Sequence, residues 1–300
     1  MINLTHYDLD GIVSHILLRQ VIPNLQFVAT GYQKLEETLD ELLERNEPLI
    51  ISDLSLDERL AKKLDNHNKK ILYIDHHLNS KKLKFDNNKI TFFHNEKRCA
   101  AANIFTYFHK KGFKFSSKLK QLTYLTNDYD LWQHKETESK LLNYIFWKEQ
   151  ADYFIKLFSQ GYDKKVVHRY QFEYQKTIKD GMHFLKNECE RQKIEFDGIN
   201  AFLIFTPMHI DLVMDTFPDY DIYFIVAADD KISVRLSEKF PEEFNKSLES
   251  IMDTLKCRDE VDNFGYHQKA GGLVIKKEYK MDDCLLDIIE VMLNEAVIPF

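Results

Sequence analysis

The chain has 300 residues, of which 44% are hydrophobic, and a formal net charge of −7 at pH 7. This acidic balance argues against a protein that holds long nucleic-acid duplexes on a broad basic surface, because the phosphates would be repelled. No apolar run approaches the roughly 18 residues of a membrane helix, and the four dispersed cysteines indicate neither a disulfide framework nor a thiolate zinc site, so we expect a cytoplasmic protein of one or two domains.

The first half of the chain alternates between apolar and amphipathic stretches. Strand-like runs are "MINLTH", "LQFVAT", "PLIISDL" and "KKILYIDHH". Apolar residues at helical spacing occur in "GIVSHILLRQVI", "KLEETLDELLERN", "SLDERLAKKLDNHN", "AAANIFTYFHKKG" and "KLKQLTYLTNDYD". Ser55 and Glu58 have the spacing of a capping box, which predicts that Ser55 caps the third helix. The alternation is typical of an α/β domain with a parallel sheet.

The second half has a different pattern. From about Trp147 to Glu195 it is charged and helical, which predicts a connecting helix. Asp197-Gly198 then separates two β-like runs and predicts a hairpin. "DIYFIVAA" and "KISVRLS" predict a second strand pair, "GGLVIKK" a further strand, and residues 242–256 and 282–295 two helices. We predict an α/β domain over residues 1–170, a helical linker over 171–194 and a smaller α/β domain over 195–300.

Acids and histidines stand where several predicted strands end. They are His6, Asp8 and Asp10 after the first strand, Asp53 after the third, Asp75, His76 and His77 after the fourth, and Asp128 and Asp130 at the end of a later helix. Ligands of parallel α/β sheets bind outside the carboxyl ends of the strands, so we expect these groups to meet. Structural interpretations stay open, since Asp10 could cap the helix near Gly11 and Asp128 or Asp130 could be turn residues.

A meeting of Asp8, Asp10, Asp53 and Asp130 would bring four negative charges together. At 4 Å and an effective dielectric constant of 20, each like pair costs about 4 kcal/mol. Two divalent cations would cancel this charge. Oxygen and imidazole donors without thiolates favour Mn²⁺ over Zn²⁺, with Mg²⁺ as the alternative. A pair of such ions suits phosphoester hydrolysis, because it lowers the pKa of a shared water and neutralises charge on the phosphoryl oxygens.

These residues resemble the motifs of the DHH phosphoesterase superfamily, named for the triplet that stands here as Asp75, His76 and His77. "HYDLDG", "SDLS", "IDHH" and "NDYDLW" match its motifs in order, and "FGYHQKAGG" is similar to the glycine–histidine motif of the accessory DHHA1 domain. The HxDxD and YDxW spacings resemble the nanoRNase B branch most. The resemblance implies a parallel-sheet DHH domain joined by a helical linker to a smaller α/β DHHA1 domain.

The resemblance also implies roles for single residues. His6 and Asp8 would bind one metal ion, and Asp10, His76 and Asp130 would bind a second. Asp53 would bridge both ions, and Asp75 and His77 would orient the ligands, with His77 near the phosphate. Asp130 occupies the "YDxW" position, and an alignment shifted to Asp128 is the alternative.

Further substrate contacts are implied in the second domain. Arg235 in "KISVRLS" matches a family arginine that contacts phosphate, although a surface ion pair is the other interpretation. His267 matches the histidine that approaches the phosphoryl group and would share the catalytic role of Asp53 and His77, and Lys269 would add a phosphate contact. The family usually has glycines before this histidine, where this chain has "NFGY". Its aromatic residues would fill that space or stack on a base.

The expected activity is Mn²⁺-dependent hydrolysis of short oligonucleotides to nucleoside 5′-monophosphates. The expected partner is a short oligonucleotide or dinucleotide, with no long duplex and no membrane, and a homodimer is left open. Alternative substrates are a cyclic dinucleotide, its linear product or 3′-phosphoadenosine 5′-phosphate. A family II pyrophosphatase would need a basic SRKKQ-like motif that the chain lacks. A nucleotide-binding regulator that has lost turnover is the alternative from another class.

Overall fold

A computed structural model of the protein describes residues 1–227, 231–237, 239–240, 248–266 and 270–297. The chain divides into two compact units, Met1–Tyr174 and Gln175–Phe300. The division falls inside a long helix, and the domain limits inferred from the sequence stay a prediction. Across the described ranges, no helix combines the length and the apolar character needed to cross a membrane.

The first unit is an α/β domain built on a five-stranded sheet. Its strands are β1 (Ile2–His6), β2 (Gln26–Thr30), β3 (Leu49–Ser52), β4 (Ile71–Asp75) and β5 (Ile90–His94). Its helices are α1 (Leu9–Val21), α2 (Leu35–Glu44), α3 (Glu58–Asp65), α4 (Ala100–Lys110), α5 (Ser117–Asp130) and α6 (Thr137–Phe158), and α7 (Lys164–Asn187) runs on into the second unit. The predicted fold class is confirmed. Strand β5 is not among the predicted strands, because "ITFFH" is short and has polar residues on both sides.

The strand order defines a topological switch point in the sheet. The order is β2-β1-β3-β4-β5, and all neighbouring strands are parallel. β1 is followed in the chain by β2 on one side, whereas β3 pairs with β1 on the other side, so the winding direction reverses between β1 and β3. Open α/β sheets bind ligands at this switch point, outside the carboxyl ends of the strands. His6 ends β1, and Asp53 directly follows β3.

Both faces of this sheet are buried. Along β3, Ile50 belongs to one apolar core, whereas Leu49 and Ile51 belong to the core on the opposite face. Successive strand residues point to opposite faces, so helices must cover both sides. Burial of each large apolar side chain contributes about 1.5–3 kcal/mol, which makes the sheet a firm support for the loops at its edge.

The start of α3 corrects one sequence prediction. Asp57 caps this helix, with its carboxylate accepting a hydrogen bond from the backbone N–H of Leu60 at 2.7 Å. The predicted cap, Ser55, lies in the extended connection before the helix, where its backbone N–H donates to the hydroxyl of Tyr32 at 3.2 Å. Aspartate and serine are comparable caps, so the path of the chain after β3 decided between them.

The second unit contains a mixed six-stranded sheet. Its strands are β6 (Arg191–Phe196), β7 (Ile199–Phe205), β8 (Ile222–Val226), β9 (Lys231–Leu236), β10 (Val261–Tyr266) and β11 (Ala270–Ile275), in the order β10-β11-β9-β8-β7-β6. Its helices within the described residues are α8 (Ile210–Thr216), α9 (Leu248–Asp253) and α10 (Met281–Val297). β7 and β8 pair in parallel, and the other described pairs are antiparallel.

Both predicted strand pairs of this unit are confirmed. Asp197 and Gly198 have positive φ angles of 43° and 87°, which is the conformation of a tight type I′ turn. The turn joins β6 to β7, with Phe196 opposite Ile199. β8 and β9 form the second antiparallel pair.

Candidate metal centre

The carboxyl ends of β1, β3 and β4 bring most of the predicted acids and histidines into one cluster. Three groups of donor atoms each lie within 4.8 Å of one another: His6, Asp8 and Asp53; Asp10, His76 and Asp130; and Asp53, Asp75, His76 and His77. Asp53 belongs to two of the groups. Asp53 therefore has donor atoms of the first predicted ligand set and of His76 within reach, and its bridging role stays a prediction.

His76 is the point at which three carboxylates converge. Its Nε2 lies 3.3 Å from Oδ1 of Asp53, 3.6 Å from Oδ2 of Asp130 and 3.9 Å from Oδ2 of Asp10. One imidazole nitrogen carries at most one proton, so it cannot satisfy three carboxylates. A shared cation can.

Two buried carboxylate oxygens support the same conclusion. Within the described part of the chain, no hydrogen-bond donor reaches Oδ2 of Asp53 or Oδ2 of Asp130. A buried polar group without a partner costs about 1–3 kcal/mol, and a charged one costs more. The residues therefore fit divalent cations, which would bind these oxygens.

The backbone of Asp53 is held in an unusual conformation. Its φ angle is 57°, in the left-handed region that residues with a side chain rarely adopt. Its N–H donates to the carbonyl oxygen of Ile74 at 3.2 Å, which ties the residue to the end of β4. Such conformations cost of order 1 kcal/mol or more and concentrate at functional sites.

Asp8 caps the helix that follows β1. Its carboxylate accepts a hydrogen bond from the backbone N–H of Gly11 at 2.9 Å and lies 2.7 Å from Nδ1 of His6. Gly11 is required here because a Cβ atom would collide with the backbone carbonyl oxygen of His6. The close approach of α1 to the end of β1 therefore depends on a residue without a side chain.

Asp10 caps a different helix from the one that the alternative interpretation suggested. Its two carboxylate oxygens accept hydrogen bonds from the backbone N–H groups of Ala100 and Ala101, at 2.7 and 2.9 Å, where α4 begins. Each carboxylate oxygen has a further lone pair, so these bonds orient Asp10 without excluding a metal ion. The helix near Gly11 is capped by Asp8.

The structure places Asp128 away from the cluster. Its buried carboxylate accepts hydrogen bonds from the backbone N–H groups of Lys135 and Glu136, at 3.0 and 3.1 Å, and so closes the turn after α5. Asp130, two residues later, lies beside Asp10 and His76. The geometry does not support the shifted alignment with Asp128 as the ligand.

Asp75 and His77 form a hydrogen-bonded pair beside the cluster. Nδ1 of His77 donates to Oδ1 of Asp75 at 2.7 Å, and Nε2 lies 3.2 Å from the hydroxyl of Tyr32. The hydroxyl of Tyr73, which donates to the carbonyl oxygen of Leu54 at 2.7 Å, lies 3.4 Å from the other oxygen of Asp75. Tyr32 is absent from the sequence prediction, because nothing in "TGYQK" distinguishes it from an ordinary loop tyrosine.

Burial and mutual repulsion raise the pKa values of three acids. Burial is the larger cause for each, followed by repulsion from neighbouring carboxylates. The pKa values of Asp10 and Asp130 rise to about 7, and that of Asp53 rises well above its usual range. Burial likewise lowers the pKa of His76 to about 4. Without cations, the cluster therefore takes up protons near neutral pH.

The pKa values of the two aspartates that pair with histidines shift in the opposite direction. Burial alone would raise their pKa values, but the charge and hydrogen bond of His6 hold the pKa of Asp8 below its usual range. His77 does the same for the pKa of Asp75. These two acids stay ionised, and each keeps its histidine in a fixed orientation.

Residues 2–128 match the DHH family, N-terminal domain. No curated protein sequence gives a significant match to the chain. This match supports the predicted resemblance to the DHH superfamily for the matched residues, whereas the nanoRNase B branch stays a prediction.

Solved structures extend the similarity of fold beyond the DHH domain. A DHH-domain protein described as a member of a ribosomal-protein family matches over 99% of this chain and 87% of its own, with 14% identity and a TM-score of 0.69. RecJ of Thermus thermophilus in complex with Mn²⁺ matches over 98% of this chain, with 13% identity and a TM-score of 0.59, but this chain spans only 52% of RecJ. A pGpG-specific phosphodiesterase from Vibrio cholerae matches over 98% of both chains, with 14% identity and a TM-score of 0.52.

Outside the DHH domain, Arg235 lies on β9. Burial alternates along this strand, since Ile232, Val234 and Leu236 are buried and Arg235 is half-buried, although Ser237 after the strand is buried as well. The guanidinium of Arg235 donates to the carbonyl oxygens of Val234 and Gly271, at 2.8 and 3.0 Å.

The structure does not describe the side chains of the other predicted substrate contacts in this unit. His267 and Lys269 lie outside the described residues. Phe264 and Tyr266 are on β10, but their side chains are outside the described part. The phosphate and base contacts of all four residues stay predictions.

Proposed function

We propose that the protein is a divalent-metal-dependent phosphodiesterase that hydrolyses short oligonucleotides to nucleoside 5′-monophosphates. The observation that carries this proposal is the convergence on His76 of three carboxylates, two of which have a buried oxygen that no donor reaches among the described residues. Such a cluster is costly for the metal-free protein and is suited to cations.

Two ions fit the donor groups. His6, Asp8 and Asp53 would hold one ion, and Asp10, His76 and Asp130 would hold the other together with Asp53. Two bound divalent ions lower the pKa of a water and neutralise charge on the phosphoryl oxygens during in-line displacement. Mn²⁺ is the proposed ion, because the donors are carboxylates and imidazoles, and Mg²⁺ is the alternative.

The protein's own residues would fix the geometry around the ions. The left-handed backbone of Asp53 holds its carboxylate at the switch point of the sheet. Asp75 accepts a hydrogen bond from Nδ1 of His77, so Nε2 points away from Asp75. In that orientation Nε2 could contact a phosphate oxygen. Positioning of this kind supplies much of the acceleration in phosphoryl transfer.

Two observations support a short nucleotide substrate. A net charge of −7 disfavours a long duplex, whereas a few local cations suffice for a dinucleotide. The Vibrio cholerae protein of similar fold is named for pGpG, a dinucleotide. Arg235, His267 and Lys269 are the proposed phosphate contacts. Few phosphates would be contacted, so binding should depend only mildly on salt.

One assay tests the activity. The full chain is incubated with Mn²⁺ and, separately, a linear dinucleotide, a five-nucleotide RNA, a cyclic dinucleotide, 3′-phosphoadenosine 5′-phosphate or pyrophosphate, and the products are separated by chromatography. We expect nucleoside monophosphates from the linear oligonucleotides. Asp53→Asn should abolish turnover, whereas Asp152→Asn, at an exposed carboxylate on α6, should not change it. Tight binding of one compound without turnover of any would contradict the proposal and favour a regulator.

A further inference from the structure

Tyr32 lies beside the metal centre on the helical turn after β2. Its hydroxyl is 3.2 Å from Nε2 of His77, and its ring centroid is 5.2 Å from that of His6. The sequence motifs give it no role. We propose that Tyr32 is a positioning residue that fixes the imidazole of His77 for contact with the substrate phosphate, an inference that rests on the proposed phosphodiesterase function.

Each ring nitrogen of His77 has a hydrogen-bond partner. Asp75 is ionised and can only accept, so Nδ1 of His77 carries the proton of their 2.7 Å bond. Nε2 then lies on the opposite side of the ring, against the Tyr32 hydroxyl. The bond to Asp75 holds the Nδ1 side of the ring, and the bond at Nε2 restrains the ring on its opposite side.

Tyr32 is itself restrained by the connection that follows β3. The backbone N–H of Ser55 donates to the Tyr32 oxygen at 3.2 Å, and the same oxygen lies 3.2 Å from Nε2 of His77. The rings of Tyr32 and His77 are nearly perpendicular, at 85°, with centroids 6.3 Å apart. One hydroxyl therefore links the carboxyl ends of β2, β3 and β4.

Tyr32 can be separated experimentally from the metal ligands. It belongs to none of the three donor groups, and its phenol is a poor ligand beside so many carboxylates. The residue is 38% exposed, so a substrate can reach the region that its ring flanks. Loss of the hydroxyl should therefore loosen His77 without removing an ion.

A double-mutant cycle tests this role with Tyr32→Phe, His77→Ala and the combined variant, assayed on a linear dinucleotide at saturating Mn²⁺. We expect Y32F to lower kcat by about 10- to 100-fold, the usual range for a residue that orients a functional histidine, with KM nearly unchanged. In the H77A background, Y32F should cause no further loss. Y124F is the matched control, because this exposed hydroxyl bonds to Glu136 at 3.0 Å.

Losses that multiply in the double variant, or full activity of Y32F, would overturn the proposal. A readout without turnover keeps it testable if the proposed function fails. In long-range ¹H–¹⁵N spectra of the full chain, Y32F should shift the Nε2 resonance of His77, and Y124F should leave it unchanged. An unshifted resonance in Y32F would also overturn the proposal, whatever the activity of the wild-type protein.

Discussion

Oδ1 of Asp53 and Nε2 of His76 lie 3.3 Å apart, although the two residues follow different strands of the sheet. The contact crosses from the end of β3 to the end of β4, and Asp53 reaches it from a left-handed backbone conformation. Both side chains are almost fully buried. The pair therefore cannot rely on water to screen its charge, and its neighbours determine whether the fold tolerates it.

Replacement of Asp53 should separate stability from metal binding. Asp53→Asn removes a buried acid whose ionisation is opposed by burial and by neighbouring carboxylates, and asparagine tolerates positive φ angles well. We expect the metal-free variant to be more stable than the metal-free wild type, by about 1–3 kcal/mol, the cost of one unsatisfied buried polar group. The stabilisation by Mn²⁺ should be largely lost. Thermal unfolding with EDTA and with Mn²⁺ measures both effects, and an undiminished Mn²⁺ shift in the variant would contradict the bridging role.

Asp10 should behave differently, because it also supports α4. Asp10→Ala leaves the N–H groups of Ala100 and Ala101 without their acceptor. Loss of a helix cap costs about 0.5–2 kcal/mol, so urea unfolding should show D10A to be less stable than D53N in the absence of metal. Asp10→Asn retains one acceptor oxygen and should lose less. Equal stability of D10A and D53N would argue against the capping role.

Replacement of the two aspartates of "NDYDLW" should have opposite effects on stability and on stabilisation by Mn²⁺. Asp128→Ala removes the acceptor of two turn N–H groups and should lower the unfolding free energy by about 1–2 kcal/mol while the stabilisation by Mn²⁺ remains. The Asp130→Asn variant should be stabilised much less by Mn²⁺ than the wild type, whereas its metal-free fold should not be destabilised. The measurement is thermal unfolding at increasing Mn²⁺ concentrations. The reverse pattern would restore Asp128 as the ligand.

The metal-free protein should become less stable as pH rises. Three acids have raised pKa values: Asp10, Asp53 and Asp130. In the unfolded chain they release protons near 3.8, so the folded state holds more protons between about pH 4 and 7, and its stability falls across that window. His15 and His76, with pKa values lowered from 6.5 to about 4, contribute in the opposite direction, but two groups do not offset three.

Divalent cations should reverse this trend. Bound ions keep the carboxylates ionised, so the increase in melting temperature on adding Mn²⁺ should be larger at pH 7.5 than at pH 5, by linkage of metal and proton binding. Calorimetry at both pH values, with and without EDTA, measures the difference. A metal-free melting temperature that rises steadily from pH 5 to pH 7.5 would exclude a cluster of strained carboxylates.

The meeting of the acids and histidines could be predicted because each set follows an apolar run, and parallel strands end at the same edge of a sheet. His6, Asp53 and His76 illustrate this relation. The local sequence could not show where each carboxylate finds its other partners. Asp10 meets Ala100 from 90 positions away, and Tyr32 meets His77 from 45 positions away.

Local patterns also failed where two residues had similar propensities. Ser55 and Asp57 are both good helix caps, and only the extended path after β3 selects Asp57. The short strand β5 lacks an alternating pattern of its own and forms because β4 offers an unpaired edge. In both cases the neighbouring tertiary structure outweighed a weak local preference.

The missing methyl group at Gly11 has a consequence for how this protein can vary. Any other amino acid there would push the first turn of α1 away from the end of β1. The imidazole of His6 on the strand and the carboxylate of Asp10 on the helix would then move apart. A position that would contact neither a metal ion nor the substrate is thus as intolerant of substitution as the proposed ligands, and its replacement would lower activity.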